Sequence, residues 1–471
     1  MENTATSGVI TNAREQLSWG RIIVLAFQHV FAFFGATVLV PMITGLPVQT
    51  ALFFAGAGTL VFHALTLFKV PAFLGSSFAF LGGYATIAAN PAYASMNDVE
   101  KLALANGGVV VAGALYLVLA LIIKAVGVKR VMRYLPPVVT GPVIICIGLS
   151  LAPSAVTNAS TNWPLAIVAI VVIIICNVWG KGMIKIIPIL MGVVVSYAVA
   201  LIANAVGLME VDFSPIREAA IVGLPPFMLA KFELSAILTM APIALTTQME
   251  HVGDVSALSA TTGNNFVEDP GLHRTLIGDG LATILAALFG GPPNTTYGEN
   301  TGVLALTKVF DPFLIELAAI IAIILGCLPK VAAVINTMPT AIIGGISFVL
   351  YGMISAIGVR NMYENHVSLA KGRNLIIVSI ILVCGLGMSD GITYNVPSSV
   401  ESWQMFLSGA DIGTLMESGK TIGITLTGLA IASIVGIILN AILPGKDYEF
   451  GKNPRGDANR GLAVGADEKV D

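Results

Sequence analysis

Pro292-Pro293-Asn294-Thr295-Thr296-Tyr297-Gly298-Glu299-Asn300-Thr301-Gly302 is an extended-looking polar run, rich in proline and glycine, set between apolar segments. A run of similar character, Pro71-Ala72-Phe73-Leu74-Gly75-Ser76-Ser77-Phe78-Ala79-Phe80, lies far upstream. Each opens an apolar segment only about half as long as a membrane span requires. Backbone without internal partners is tolerated at membrane depth only where it is buried in protein or lines a cavity. A short helix beginning in such a break aims its N-terminal amides at that cavity. Interrupted segments at corresponding positions of two halves are the best sequence pointer to a transport site.

The surrounding chain reads as membrane protein. Of 471 residues, 56% are hydrophobic and 11% charged, against roughly a quarter charged in soluble domains. So few charges cannot cover a soluble surface of this size. The net charge of -3 and the lack of a basic run give no sign of a nucleic-acid partner. Cys146, Cys176, Cys327 and Cys384 lie inside apolar stretches without paired spacing, which argues against a disulfide or metal set. Met1 to Trp19 has no apolar core followed by a small-residue cleavage site, so a cytoplasmic tail is expected there rather than a signal peptide.

A spanning helix needs about 20 mostly apolar residues. Candidates fall at 20–42, 48–68, 70–90, 107–128, 134–152, 163–180, 184–206, 232–253, 275–291, 294–308, 311–333, 338–358, 373–390 and 420–444. With the N-terminus inside, 19 of the 24 Lys and Arg residues fall on the cytoplasmic side. An odd span count would break that bias, so fourteen spans and two cytoplasmic termini are expected. Seven spans followed by seven puts the halves in opposite orientations, the inverted repeat of many secondary transporters. Leu135-Pro136-Pro137-Val138-Val139-Thr140-Gly141-Pro142 and Met338-Pro339-Thr340-Ala341-Ile342-Ile343-Gly344-Gly345 open spans five and twelve alike. The expected fold is an all-α membrane protein of two inverted seven-span repeats. The N-terminal tail would cover 1–19, the first repeat 20–206, an extracellular connector 207–231, the second repeat 232–444 and a cytoplasmic, disordered C-terminal tail 445–471.

Ionisable side chains inside spans are expensive and mark function by default. Glu250 and Asp254 end span eight, four residues apart and so on one helical face. Asp279 lies just inside span nine, Glu299 in the break of span ten, and His29 within span one beside Gln28. Glu299 could also cap a half-helix, Asp279 a helix start, and His29 could be a packing residue. His63 and Glu316 sit alone on apolar helices and read as structural; His251 points to another face than Glu250. Phosphate or sulfate would want Arg or Lys, which the midplane stretches lack. Carboxylates accept N–H donors, backbone amides at the breaks suit carbonyl oxygens, and Phe78 and Tyr297 offer stacking surface. A flat neutral pyrimidine or oxopurine fits that set. No nucleophile–base set, metal ligand spacing or cofactor motif appears, which argues against an enzyme.

The run Glu299-Asn300-Thr301-Gly302-Val303-Leu304-Ala305-Leu306-Thr307-Lys308 resembles the signature of the nucleobase–ascorbate transporter family. Further stretches resemble the uracil-carrying branch: Gln28-His29, Gly35 to Pro41, Leu74 to Phe80, Glu250-His251-Val252-Gly253, Asp269-Pro270-Gly271-Leu272-His273-Arg274 and Leu350-Tyr351-Gly352. These blocks run from span one to span twelve. The resemblance implies core and gate domains, short strands in spans three and ten, proton symport, and a homodimer in the inner membrane. It places Glu250 and Glu299 as substrate carboxylates and Phe78 and Gly298 as backbone donors. Ala36, Tyr297 and Tyr351 would lie near the pocket. Glu299, where relatives handling xanthine or urate carry Gln, favours uracil over those purines. One departure is Asp254, where similar carriers often have histidine. The only coupling species implied is the proton, with Glu250, Glu299, Asp254, Asp279 and His29 its candidate carriers. A carboxylate taken out of water favours its protonated form, so a proton loaded on the acidic set would neutralise the site as a neutral base enters. The other readings are a purine symporter of the same family and, more distantly, an anion exchanger or a channel.

Overall fold

Proline and glycine set the helix ends in this chain. The computed structural model describes residues 9–90, 93–388, 391–397, 399–409, 411–418, 421–446 and 448. The first eight residues of the expected N-terminal tail, and the expected C-terminal tail apart from 445, 446 and 448, lie outside them. The first half holds α1 (Trp19–Thr44), α2 (Val48–Leu65), β1 (Leu74–Ser76), α3 (Leu81–Ala89), α4 (Asp98–Val126), α5 (Pro137–Ser160), α6 (Trp163–Val178) and α7 (Pro188–Ala205). The second holds α8 (Leu234–Met240), α9 (Ile243–Thr262), α10 (Leu272–Leu288), β2 (Asn294–Thr296), α11 (Gly298–Thr307), α12 (Pro312–Gly326) and α13 (Pro329–Asn336). It continues through α14 (Thr340–Glu364), α15 (Gly372–Gly387), β3 (Ile392–Pro397), β4 (Thr421–Leu426) and α16 (Gly428–Ile442). Proline stands at the first helical positions of α5, α7, α12 and α13, where its missing N–H has no partner to lose. Gly45, left-handed at φ 83°, closes α1.

Among the described residues, six helices (α1, α2, α4, α5, α7 and α14) are long and apolar enough to cross a membrane. The pair α12 and α13 makes a seventh candidate, bent by 78° at its break, and α6, α15 and α16 are shorter apolar helices. The chain is a mostly helical, multi-pass membrane protein. Apolar contact gives little drive between helices in lipid, so association rests on close packing. Small residues provide it where α5 meets α14. A Cβ on Gly358 would come within 2.5 Å of the Gly141 carbonyl oxygen. Helix α4 packs on α10, and α2 packs on α12.

Two large apolar clusters form the interior. One gathers Phe80, Tyr116, Met249, Val252 and Leu276; the other gathers Phe33, Ala36, Phe73, Phe78, Tyr297 and Tyr351. Between them β1 and β2 pair antiparallel, Leu74 with Thr296, Gly75 with Thr295 and Ser76 with Asn294. The ladder extends by one bond at each end, from the Ser77 amide to Pro293 O at 2.8 Å and from the Tyr297 amide to Phe73 O at 3.0 Å. Each interrupted segment thus satisfies the other's main chain, which neither could do alone in a bilayer.

Several boundaries differ from those expected. Span eight, expected at 232–253, is α8 and α9 with the break at Ala241-Pro242, and α9 runs on to Thr262. Ser256, Ser259, Thr261 and Thr262 each donate a hydroxyl to the carbonyl four residues back, so these polar side chains are satisfied within the helix itself. Glu250 and Asp254 therefore sit mid-helix rather than at its end. Helix α10 begins at Leu272, leaving Asp279 two turns inside rather than capping a start. The expected span at 420–444 begins as a strand, because β3 and β4 pair over six residues each, Ile392 with Leu426 through Pro397 with Thr421. In β4, Thr421, Gly423 and Thr425 alternate with Ile422, Ile424 and Leu426, a period of two that suits a pleated ladder better than a helix. The second sheet was not expected, and it makes the fold less purely helical than the sequence suggested.

Candidate substrate site

The strand pair is held from three sides. Thr59 on α2 donates to Leu74 O at 3.3 Å and accepts from the Leu74 amide at 2.9 Å. Thr283 on α10 donates to Asn294 O at 2.9 Å. Tyr297 donates to Ser76 O at 2.9 Å, with Thr37 of α1 donating to the tyrosine hydroxyl at 3.3 Å. Ser76 returns a hydroxyl to Thr37 O at 3.1 Å. Mid-helix α1, including Ala36 beside Thr37, is therefore bound to the crossing point.

Beyond the crossing, α11 starts at Gly298 directly after Tyr297, and Glu299 lies in its first turn. Among the described residues neither the Gly298 nor the Phe78 amide donates to a main-chain carbonyl, so both remain available to a carbonyl-bearing ligand. Helix α9 brings the acids to the same place: Thr296 of β2 donates to Asp254 Oδ2 at 2.8 Å. Glu250 and Asp254 lie close enough to each other, and to Asp279 and Glu299, for the charges to interact. Glu250, Asp254 and Glu299 are half-buried, unlike the fully buried Asp279. Buried Phe78 meets Tyr351 of α14 edge to face, centroids 6.2 Å apart.

The structure thus brings together Glu250, Glu299, Asp254, Tyr297, Gly298, Phe78, Ala36 and Tyr351. Asp279 stands behind them, 2.9 Å from His251 Nδ1 with both side chains buried. His29 is buried, and Asn300 donates to its carbonyl oxygen at 3.2 Å, which fastens α1 to α11. Sequence reasoning passed over His251 because it faces away from Glu250; that face meets α10, and the histidine is the partner of Asp279. It also left His63 and Glu316 alone, yet His63 Nδ1 lies 3.3 Å from Glu316 Oε1. Both pairs join residues far apart in sequence, which spacing cannot reveal. No cluster of three or more metal-ligating side chains occurs among the described residues.

A crossed pair of half-length segments at the centre of a helical membrane protein, lined by acids and free amides, defines a solute transporter. The fold recurs in solved transporters. The transmembrane domain of a cyanobacterium bicarbonate transporter, BicA, aligns with a TM-score of 0.56 over 80% of this chain and 97% of that one, at 18% identity. The murine Solute Carrier 26 member A9 anion transporter aligns with a TM-score of 0.62 over 94% of this chain and 73% of that one, at 10% identity. By sequence the chain belongs to the Permease family Xan_ur_permease, matched over residues 20–393. It is similar to the uracil permease of Bacillus caldolyticus, 39% identical over 93% of this chain and 95% of the relative. It is also similar to that of Bacillus subtilis (38%; 91% and 93%) and to the putative pyrimidine permease RutG of Escherichia coli (35%; 95% of each). Proteins of this family are permeases, not enzymes.

Proposed function

We propose that this protein imports uracil by proton symport across the inner membrane, with alternating access between a core and a gate domain. The observation that carries the reading is Glu299 at the start of α11, near enough to Glu250 of α9 for the two charges to interact and flanked by the free Gly298 and Phe78 amides. Uracil has two ring N–H groups and two carbonyl oxygens. The carboxylates suit the first and the amides the second, while Phe78 and Tyr351 suit its flat faces. The similarity to uracil permeases over almost the whole chain supports the same substrate.

The architecture proposed is fourteen spans in two inverted repeats, joined as a homodimer, with both termini cytoplasmic. The packing pairs favour it: moving seven spans along the chain turns the α4–α10 pair into the α2–α12 pair and exchanges α5 with α14. In the proposed cycle one proton joins the acidic set as uracil binds, so the loaded site crosses without net negative charge. Release inside returns the proton to a less acidic compartment.

The deciding measurement is uptake of radiolabelled uracil into cells lacking their own permease, at external pH 6 and pH 8 (about a hundredfold in proton activity), with unlabelled xanthine as competitor. Saturable uptake that is faster at pH 6, collapses with a protonophore and ignores xanthine is the expected result. Competition by xanthine without uracil entry would replace uracil by a purine. Uptake indifferent to pH and protonophore would remove proton coupling. In the same assay Thr296→Val, which deletes the hydroxyl held by Asp254, is expected to raise KM about fivefold, the effect of one ordinary hydrogen bond of about 1 kcal/mol. An unchanged KM would detach Asp254 from substrate binding.

A further inference from the structure

Helix α2 holds β1 by two rungs, one turn apart on the same face. Thr59 is the first, on Leu74; His63 is the second, with Nε2 2.9 Å from Ala72 O. On its other side His63 Nδ1 lies 3.3 Å from Glu316 Oε1 of α12. His63 is fully buried, and the Glu316 side chain is 19% exposed.

A carbonyl oxygen only accepts, so the contact with Ala72 assigns hydrogen to Nε2. A neutral ring with that hydrogen has a bare lone pair at Nδ1, facing a carboxylate that also only accepts when ionised. The 3.3 Å contact is attractive only if one proton lies between them, on the ring or on Glu316. Neighbouring charged groups are engaged elsewhere. Lys69 is paired with Asp269 at 2.7 Å, Arg274 donates to Leu65 O at 3.4 Å, and Asp279 is held by His251 beyond the Phe62 ring.

We propose that Glu316 is a positioning residue: through one proton shared with His63 it fixes the Nε2–H on the Ala72 carbonyl, and so sets the place of β1 at the substrate site. Ala72 lies two residues before Leu74, and the free Phe78 amide lies two residues after the strand ends. Without Glu316 the ring keeps Nε2–H toward Ala72 O, but its Nδ1 lone pair is buried without a donor and the ring loses the contact that fixes its place. The placement of the ring is therefore set from α12, outside the site.

Glutamine and leucine at position 316 separate this role from packing. The Glu316→Gln amide donates to Nδ1 and keeps the tautomer without needing a shared proton; Glu316→Leu fills similar space and gives nothing. The reading of the site as a uracil site enters only through the ligand used. With purified full-length protein in lipid nanodiscs, Glu316→Gln should bind radiolabelled uracil within about twofold of wild type. Glu316→Leu should bind about tenfold more weakly, the loss of one hydrogen bond near a charged group. In proteoliposomes Glu316→Leu should raise KM about tenfold and leave Vmax per folded molecule within about twofold. Amide hydrogen exchange supplies a readout without substrate: residues 70–80 should exchange faster in Glu316→Leu and at the wild-type rate in Glu316→Gln. Should the leucine variant fail to fold, Glu316→Met takes its place. Equal behaviour of the Gln and Leu variants in exchange, or wild-type behaviour of Leu, overturns the proposal. Failure of wild type to bind uracil overturns the substrate assignment instead, and the exchange comparison still decides the role of Glu316.

Discussion

Glu299→Gln is expected to cut uracil uptake about a hundredfold in a protein that still folds and inserts. Glutamine keeps the shape of glutamate but replaces one acceptor oxygen by an NH2 group. Against a ligand N–H that change removes a charge-assisted hydrogen bond, worth about 1.5–3 kcal/mol, and sets donor against donor. The substitution also removes one of the two leading candidates for carrying the proton, so a pH profile taken with it is informative. Residual uptake by Glu299→Gln that no longer responds to external pH would make Glu299 the carrier. Residual uptake with the wild-type pH response would move that role to the other candidates, Glu250 first among them. The fold gives no reason for gross instability, because Glu299 stands half-buried in the first turn of α11. Uptake within threefold of wild type would mean that the acid does not touch substrate, and the site assignment would fall with it.

Gly75→Val should be equally damaging by a different route. Gly75 is the middle residue of β1, opposite Thr295. A Cβ there would lie 2.5 Å from Cζ of Tyr297 and 2.6 Å from Oγ1 of Thr37. Neither neighbour is free to give way, because the tyrosine hydroxyl donates to Ser76 O and Thr37 donates to the tyrosine. Overpacking of this kind costs about 1–3 kcal/mol on its own. Here it must also open the strand pair or expel Tyr297 from the crossing. Uracil binding and transport are expected to fall below a tenth of wild type, with Gly75→Ala intermediate. Scintillation-proximity binding on monodisperse protein separates lost affinity from lost expression. Wild-type transport by Gly75→Val would mean that the crossing tolerates being opened, and that Tyr297 does not hold it.

What could be read in the chain before its structure was a matter of range. The two breaks were legible because proline, glycine and threonine act locally, and they gave the two half-length segments and Glu299 at the start of one, while the pairing of the two strands came only with the structure. The Glu250–Asp254 face was legible because i and i+4 on a helix share a side. Helix ends were harder. Span eight was expected to stop at 253, yet the helix runs on through Ser256 to Thr262, with those two hydroxyls satisfied on carbonyls of the same helix. The β3–β4 sheet escaped notice because an apolar run bounded by glycine reads as strand or helix until its partner is known. The histidine–carboxylate pairs escaped for a plainer reason. Glu316 lies 253 residues from His63, and no local pattern spans that distance.

The separation in sequence within the crossing bears on how the protein is made. Tyr297 closes on Ser76 across 221 residues. A ribosome adding about 5–20 residues each second takes roughly ten to forty-five seconds to cover that stretch. Throughout that interval the amides and carbonyls of Leu74 to Ser76 have no strand to meet, in a solvent that will not hydrate them. Until residues 294–297 arrive, the first half of the protein therefore lacks the main-chain partners of β1. Closure of the crossing then comes before α12 to α16 have been made, and a chain that stops short of residue 294 leaves β1 without its pairing strand.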